Sequence, residues 1–537
     1  MASVRPKTPT RVPVVIAVDA GTGSARALAF DSSGRVVAQA SREWTHRPLD
    51  GHPGGTVFDT AAGWTLIAAA VREVVGRVGA GNVVALAASS MREGFVLFDE
   101  HGTELWACPN TDGRARVQAE SLVRSGAAGH IYAVAGDWVS ITAPARLRWI
   151  AEEQPEILAR TRHLGMLSDW IAYRLTGVFS TEPTCGSSSA LFDLRARCWS
   201  PELAELVGIN NRILPPVVEC GTVLGGITAD ASTATGIPLG VPVVAGGADT
   251  QLALYAIDAR PTVPNIVAGS FWQTTAVTAL PIIDPSRRLR TLCHVGKDSW
   301  MIEGIGFLSG LAMRWARDGL TPDLVQRAAH TGESAYALME HEARGIPVGS
   351  NGVVAILSDV MQADAWHHAA PAIVGFDLTQ PEATGRAAII RAIEEAAAYV
   401  ARAHLDVLDE LTGGLTATGE LTLVGGSSSA LLWPHIVAGV TNRRVRRAHV
   451  SEATSLGAAR LAGNAVGMLI AAASTDERIV LPDAHDVAAY DLGFAHWKRA
   501  YAAQREATRD GGFAPLFVPP GGFTDSTETK EAAHGRF

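Results

Sequence analysis

The sequence predicts an α/β protein made of two duplicated domains with a cleft between them. Two repeated patterns support this prediction. A glycine-containing turn between two β-strands occurs near residue 21 and again near residue 269, and each is followed later by a strand, paired glycines and a helix. Repetition of such a unit is typical of an internally duplicated α/β architecture. The boundary between the two domains is predicted near residue 255.

The first half alternates strands with helices. A three-stranded meander starts at Val14, and a buried strand is predicted at 83–90 because its residues are almost all apolar or small. Apolar residues at helical spacing predict helices, and a strand, a glycine turn and a helix start follow at 238–256. The predicted helices of this half span 62–79, 114–125, 145–160 and 165–176.

The second half repeats the pattern. A second strand pair with a small-residue turn is predicted at 265–280, and a second strand, glycine turn and helix at 421–440. The other predicted helices span 307–318, 322–330, 384–411 and 452–472. The predicted domain organisation is therefore an arm at 1–12, a first domain at 13–255, a second domain at 256–510 and a polar, glycine- and proline-rich tail at 511–537.

Composition excludes several functional classes. Of 537 residues, 47% are hydrophobic and 18% charged, which excludes a disordered chain and a disulfide scaffold. The net charge of −9 offers no basic field for nucleic acid or an anionic membrane, and no apolar stretch reaches the ~18 residues of a membrane span. Five cysteines without a C-x-x-C pair predict reduced thiols and hence a cytoplasmic protein. None of the four lysines completes a P-loop or a protein-kinase signature.

The first candidate site is the turn that follows Asp19. Its backbone amides, with the hydroxyls of Thr22 and Ser24 and the guanidinium of Arg26, are suited to bind an anion. Asp19, at the end of an apolar strand, is suited to hold a hydrated Mg²⁺. The alternative is an ordinary hairpin with a surface arginine.

Two further candidates follow predicted strands. Asp249, after Gly246 and Gly247, could accept a proton from a substrate hydroxyl, although a helix N-cap is the alternative. Arg92 and Glu93 could grip a polyol by donating and accepting hydrogen bonds, although a surface ion pair is the alternative.

A fourth candidate is the paired glycines Gly425 and Gly426, which would let a flat ligand approach the backbone. A tight strand-to-helix turn is the alternative. The order along the chain of the turns at Asp19, Asp249, Gly269 and Gly425 is more informative than any one of these signals.

Taken together, these residues resemble the FGGY carbohydrate kinases, which have the actin-like ATPase (ribonuclease H-like) fold. The resemblance runs from about Val14 to Gly467 and includes D-x-G-T-x-S-x-R from Asp19 and G-G-x-D ending at Asp249. Further matching positions are Arg92, Glu93, Asp112, Arg114, Glu303, Gly304, Gly310, Trp315, Arg317, Asp318, Gly425, Gly426, Trp433, Glu452 and 456–459.

The resemblance implies ATP-dependent transfer of a phosphoryl group to a hydroxyl of a small polyol-like substrate, with ATP and Mg²⁺ as cofactors. It implies Asp249 as the catalytic base, with Asp249, Arg92, Glu93 and Asp112 binding the substrate. Asp19 and Asp249 would hold the metal. The nucleotide would be bound by Thr22, Gly23, Ser24, Arg26, Gly269, Ser270, Gly310, Gly425, Gly426 and Ser427.

The sequence departs from the family pattern at some of these positions. Ser270 stands where the second phosphate-binding turn has threonine, Ser427 replaces a third glycine beside the adenine, and Ala430 replaces an asparagine found in some members. Arg146 replaces a lysine, which keeps the charge and changes its geometry.

Shorter strings, among them 106–112, 168–173 and 313–318, narrow the resemblance to one branch of the family. This branch implies open-chain 4,5-dihydroxy-2,3-pentanedione, the signalling molecule autoinducer-2, as the acceptor. A pentulose or a sugar alcohol such as xylulose, ribulose or erythritol is the alternative, and a non-enzymatic actin-like clamp is a more remote one. Neither nucleic acid nor a membrane is an expected partner, and a homodimer is compatible with the sequence.

Overall fold

The structure of the chain is a computed structural model, which describes residues 12–513 except 53, 141, 307, 358–368, 449, 451 and 474. Most of the predicted N-terminal arm and of the predicted C-terminal tail lies outside the described residues. Within the described ranges, no helix is both long enough and apolar enough to cross a lipid bilayer.

A six-stranded sheet forms the core of the first half. Its three central strands run parallel, and the meander predicted from Val14 forms one side of the sheet. In spatial order the strands are Val223–Gly226, Pro242–Ala248, Val83–Ser90, Val14–Ala20, Ser24–Phe30 and Val36–Glu43.

A seven-stranded sheet forms the core of the second half. In both sheets, three antiparallel strands form the meander, two parallel strands follow it, and an antiparallel strand forms the edge. The second sheet has one further strand, Arg290–Cys293, on the other side of its meander. This common order confirms the predicted duplication. In spatial order the strands are Arg290–Cys293, Trp300–Gly306, Trp272–Thr278, Asn265–Ala268, Glu420–Val424, Arg444–Ala448 and Thr475–Val480.

Smaller strand pairs and helices surround the two sheets. The remaining strands are Arg47–Pro48, Thr56–Val57, Phe95–Phe98, Glu104–Cys108, His163–Met166, Phe192–Asp193, Cys198–Trp199, Val354–Ile356 and Ala372–Val374. The helices of the first half are Thr60–Val78, Arg116–Arg124, Ala127–Ala135, Ala143–Glu153, Pro155–Arg160, Leu167–Thr176, Pro183–Ser187, Pro201–Leu206, Ala229–Thr235 and Asp249–Ala256. Those of the second half are Ser309–Leu320, Pro322–Thr331, Ala335–Ala343, Pro381–Thr384, Arg386–Leu411, Trp433–Thr441, Ala453–Ala465 and Ala484–Arg509.

The helix Thr60–Val78 shows how the sequence specifies these elements. Asp59 caps its first turn by accepting from the Ala62 amide at 2.9 Å, and Gly79 ends it with a φ of 83°. Its buried side chains recur every three or four residues, so one face packs on the meander.

Helix ends differ from the predictions where glycine or proline intervenes. The helix predicted at 145–160 is broken at Gln154, because a residue before proline disfavours the helical conformation and Pro155 starts a new helix. The helix predicted at 452–472 ends at Ala465, two residues before Gly467, whose φ is 77°.

The helix Ala453–Ala465 joins the two halves. It packs against the first sheet and against the helix Asp249–Ala256, within a core that includes Val15 and Leu456. A β-carbon at Gly457 would lie 2.1 Å from the carbonyl oxygen of Leu252, so only glycine permits this approach of the two helices. The end of the first half is therefore held directly by the second.

Candidate active site

The carboxyl ends of three parallel strands bring the predicted chemical groups together. In the sheet register, Ala20 and Ala248 both pair with Ser90, which lies on the strand between theirs. Adjacent strands lie ~4.8 Å apart. Asp19, the segment after Ser90 and Asp249 consequently share one edge of the sheet, where α/β proteins bind ligands.

Asp249 lies at the junction of the two halves. It is the first residue of the helix Asp249–Ala256, and its side chain is 41% exposed. One carboxylate oxygen, Oδ1, accepts from the Thr250 amide at 2.7 Å and lies 3.5 Å from Nε of Arg92. From the second half, Thr454 donates its hydroxyl to the Asp249 carbonyl at 3.1 Å.

Asp249 does not occupy the N-cap position of its helix, although its carboxylate accepts from the Thr250 amide in the first turn. Ala248 occupies the N-cap position, and no side-chain capping bond is formed there. Desolvation raises the pKa of the Asp249 carboxyl above its ordinary value, although Arg92 acts in the opposite direction. A partly exposed carboxylate with a raised pKa beside a guanidinium is suited to accept a proton.

The paired glycines before Asp249 lie within a strand rather than in the predicted turn. They lie at a register shift between Val244 and Gly247, and the strand continues to Ala248. A β-carbon at Gly246 would lie 1.8 Å from the carbonyl oxygen of Ala88 on the neighbouring strand. The glycines therefore allow the close strand contact that positions Asp249.

Replacing Gly246 by alanine is expected to lower the free energy of unfolding by about 3 kcal/mol, because the backbone of both strands must shift. Chemical denaturation would measure this change. As a control, Gly76→Ala in the helix Thr60–Val78, where a β-carbon has no neighbour within 4 Å, should stabilise by about 0.5–1 kcal/mol. Equal stability of the two variants would contradict the proposed strand contact.

Arg92 and Glu93 are buried rather than forming a surface pair. They are 6% and 5% exposed, and Glu93 adopts a φ of 65°, which is uncommon outside glycine. Arg92 forms ion pairs with Asp249 and with Glu303 of the second half, and Glu93 with Arg290. The predicted substrate pair therefore faces partners from both halves.

The Asp19 turn has exposed and buried parts. Thr22 and Gly23 are exposed and Ser24 is half-buried, while the Gly21 amide closes the turn by donating to the Ser24 carbonyl at 2.9 Å. Asp19 is 2% exposed and is paired with Arg26. The tip of the turn is exposed, as binding to a phosphate requires, and the Thr22 hydroxyl there also accepts from Nδ2 of Asn110 at 3.2 Å.

The surroundings of Asp19 fit a hydrated Mg²⁺. The Asp19 charge acts on Asp249 and raises the pKa of that carboxyl, and Glu452 lies 2.7 Å from Arg26. Among the described residues, no group of three or more histidine, cysteine, aspartate or glutamate side chains could enclose a metal. Mg²⁺ keeps several waters and commonly binds through one or two carboxylates plus substrate phosphates, which matches this donor set.

The residues predicted to bind the nucleotide in the second half also lie together. Gly269 and Ser270 are exposed at the turn after Asn265–Ala268, and the Gly310 amide donates to the Ser270 carbonyl at 3.0 Å. A β-carbon at Gly310 would lie 2.1 Å from the Gly269 carbonyl oxygen.

The second glycine turn lies beside the first. A β-carbon at Gly425, whose φ is 96°, would lie 2.6 Å from the Ala268 carbonyl oxygen. Gly426 is exposed and Ser427 half-buried, while the neighbouring Ser428 donates its hydroxyl to the Gly425 carbonyl at 2.7 Å. Three separate chain segments thus form one small-residue surface, with little side-chain volume to obstruct a ligand.

The Asp112 carboxylate is held by Arg114 of its own loop and by Thr56 of the strand Thr56–Val57. It is fully buried, and its carboxylate accepts from Nε of Arg114 at 2.8 and 2.9 Å and from the Thr56 amide at 2.9 Å. Arg146 links this loop to the predicted substrate pair by donating to the carbonyls of Asp112 and Glu93. Direct binding of substrate by Asp112 stays a prediction.

Two charged residues beside the site were not predicted as site residues. Arg290 and Asp137 are 1% and 0% exposed, and they form an ion pair of 3.2 Å across the two halves. Burial raises the pKa of Asp137 to about 6. Because 153 residues separate them in the chain, no local sequence pattern indicates this contact.

Comparisons with known proteins agree with this arrangement. The family model "FGGY family of carbohydrate kinases, N-terminal domain" matches residues 14–256, and the C-terminal domain model of the same family matches residues 270–466. The chain is 37% identical to an autoinducer-2 kinase of Yersinia pestis, over 94% of this chain and 97% of that protein. It is 36% identical to an autoinducer-2 kinase of Yersinia enterocolitica, over 96% and 99% of the two chains.

Solved structures share the fold. A xylulose kinase from Rhodospirillum rubrum has a TM-score of 0.77 at 25% identity, covering 91% of this chain and 98% of that one. A Plasmodium falciparum glycerol kinase with ADP has a TM-score of 0.78 at 18% identity, covering 92% and 98%, and supports the fold alone. The domain matches, the nearly full-length relatives and the common fold lead to one conclusion: the chain belongs to the FGGY family of carbohydrate kinases.

Proposed function

We propose that this kinase transfers the γ-phosphoryl group of ATP to a primary hydroxyl of open-chain 4,5-dihydroxy-2,3-pentanedione, the signalling molecule autoinducer-2. One structural observation carries the phosphotransferase part of the proposal. A partly exposed carboxylate, that of Asp249, shares a sheet edge with Arg92 and with the turn that follows Asp19. The acceptor is proposed from the autoinducer-2 kinases that match nearly the whole chain.

In this mechanism Asp249 orients the acceptor hydroxyl and receives its proton. The hydroxyl oxygen forms a bond to the γ-phosphorus, the bond from phosphorus to the bridging oxygen breaks, and ADP leaves. Because the transition state of phosphoryl transfer is loose, positioning and charge neutralisation contribute more than the base itself. Arg92 and Glu93 would bind acceptor oxygens and fix the attacking direction.

The nucleotide phosphates would lie between the two turns. Thr22, Gly23 and Ser24 would donate hydrogen bonds to the phosphates from one side, and Gly269 and Ser270 from the other. Donors placed where charge develops in the transition state lower the barrier to phosphoryl transfer. Arg26 would keep Asp19 oriented. Asp19 and Asp249 would hold Mg²⁺, which when bound would supply positive charge against the phosphates.

The adenosine end of the nucleotide would extend over the small-residue surface formed by Gly310, Gly425, Gly426 and Ser427. Exposed Gly426 and the close packing of Gly310 and Gly425 leave backbone, rather than side chains, facing the ligand. Ser427 in place of the third glycine adds a hydroxyl at this position. We place the enzyme in the cytoplasm, where ATP is available.

The charge beside Asp249 favours an uncharged acceptor. Around Asp249, two guanidinium groups face four carboxyl groups, that of Asp249 included. These six groups together carry excess negative charge when all of them are ionised. Like charges inside a water-poor site repel strongly. A sugar acid such as gluconate should therefore be a poor acceptor. The six groups are Arg92, Arg290, Glu93, Asp137, Glu303 and Asp249.

A competition experiment would test the acceptor. The enzyme is incubated with Mg·ATP and an equimolar mixture of dihydroxypentanedione, xylulose, ribulose, erythritol and gluconate, and phosphorylated products are identified by mass spectrometry. Phosphorylated dihydroxypentanedione is expected to dominate, with no phosphogluconate. If a pentulose phosphate or erythritol phosphate dominates, the proposed acceptor is wrong but the kinase activity stands. ATP hydrolysis that no acceptor accelerates would favour a non-enzymatic clamp.

A further inference from the structure

A buried ion cluster connects the substrate pair of the first half to two residues of the second. We call it the cross-domain cluster. Each member is at most 6% exposed. Its members are Arg92, Glu93 and Asp137 from the first half and Arg290 and Glu303 from the second.

Glu303 holds Arg92 from the second half. The η1 nitrogen of Arg92 lies 3.0 Å from both carboxylate oxygens of Glu303. Burial alone would raise the pKa of Glu303, but two guanidinium groups outweigh it and hold this pKa below its ordinary value. Glu303 is therefore a charged partner that holds Arg92, whose Nε lies 3.5 Å from Oδ1 of Asp249.

Arg290 holds Glu93 in a corresponding way. It donates to Oε1 of Glu93 at 2.8 Å, to Asp137 at 3.2 Å and to Glu303 at 2.8 Å. Arg290 and Glu303 are opposite each other on antiparallel strands, so the sheet fixes both with respect to each other. Glu93 also has a strained backbone, with a φ of 65°, and Oε1 of its carboxylate is already bound to Arg290.

We propose that Arg290 and Glu303 are positioning residues that hold the substrate-binding pair Arg92 and Glu93 against Asp249. This inference rests on the proposed function. Neither residue needs to touch substrate, because both act through the pair.

Loss of Glu303 should have a specific consequence. Arg92 would be left with Asp249 and Glu93 as its nearest carboxylates, at 3.5 and 4.0 Å. A buried guanidinium strongly favours a charged partner, so Arg92 would move towards these groups. It would then occupy the space of the acceptor and pair with its base, whereas the turns that bind the nucleotide would be unaffected.

Glu303→Gln tests the proposal, with Arg290→Lys as a second variant in case the first does not fold. In both variants we expect the KM of the acceptor to rise at least ~10-fold, as expected for loss of a hydrogen bond to a charged group, while the Kd of ATP changes less than about twofold. Rates are measured on folded, monodisperse protein, and ATP binding by calorimetry.

A matched control separates positioning from general stability. Glu395 is 3% exposed and paired with Arg391 at 2.9 Å, but both lie on one helix of the second half. Glu395→Gln is expected to lower the melting temperature and leave the acceptor KM unchanged. If the wild type is active and the acceptor KM is unchanged in both cluster variants, this inference is wrong while the proposed function stands. A wild type without acceptor-dependent product would overturn the proposed function together with it.

Discussion

Replacing Asp249 by asparagine is expected to lower kcat by about 10²–10⁴-fold, the usual contribution of a general base. Asparagine keeps the size and polarity of the side chain but cannot take the proton of the attacking hydroxyl. The Kd of ATP should change by less than about twofold, because the two turns rather than Asp249 would hold the phosphates, and asparagine keeps a side-chain oxygen for the hydrated metal. Coupled detection of ADP gives the rate, and calorimetry gives nucleotide affinity.

The control for this prediction is Asp230→Asn. Asp230 is exposed in the first turn of the helix Ala229–Thr235, so it repeats the same chemical change at a comparable helix position away from the site. Its activity should equal that of the wild type. An Asp249→Asn enzyme that keeps most of its activity would remove Asp249 from the catalytic role.

Replacing Gly310 by alanine is expected to raise the KM of ATP by about 10- to 100-fold, corresponding to ~1.4–2.8 kcal/mol. The added methyl group would lie 2.1 Å from the Gly269 carbonyl oxygen, so the turn at Gly269 and Ser270 must move. The acceptor KM should change little because the segment that must move, Gly269 and Ser270, is not part of the cross-domain cluster that holds Arg92 and Glu93. Initial rates at varied ATP and varied acceptor distinguish the two effects.

Gly319→Ala provides a control on the same helix, Ser309–Leu320. A β-carbon at Gly319 would have its nearest neighbour, an atom of the Trp315 side chain, 4.0 Å away. This variant should be more stable than the wild type by about 0.5–1 kcal/mol, with an unchanged KM for ATP. If Gly310→Ala showed the same behaviour, the small-residue surface would not be part of the nucleotide site.

Local patterns were sufficient to predict much of the fold. The alternation of apolar strands with glycine turns predicted both meanders, and the spacing of buried residues predicted the helix Thr60–Val78. The helix Ala484–Arg509 was not predicted. Its buried Tyr490, Phe494, Trp497 and Tyr501 recur at helical spacing, so its sequence did contain the signal.

Long-range contacts explain what the sequence could not predict. Arg92 and Glu303 are 211 residues apart and Glu93 and Arg290 are 197 apart, so only the folded chain reveals that Arg92 and Glu93, the predicted substrate pair, contact the other half. Similarly, the paired glycines before Asp249 suggested a turn, because the approach of Ala88 on another strand is not visible locally.

Phosphorus NMR of a complete reaction tests the central claim most directly. Wild-type enzyme, Mg·ATP and dihydroxypentanedione should produce a phosphomonoester in equal amount to ADP, with little inorganic phosphate. The Asp249→Asn enzyme should form both the phosphomonoester and ADP far more slowly than the wild type. Inorganic phosphate as the main product of the wild type, or equal phosphomonoester formation by the variant, would contradict a phosphoryl transfer directed by Asp249.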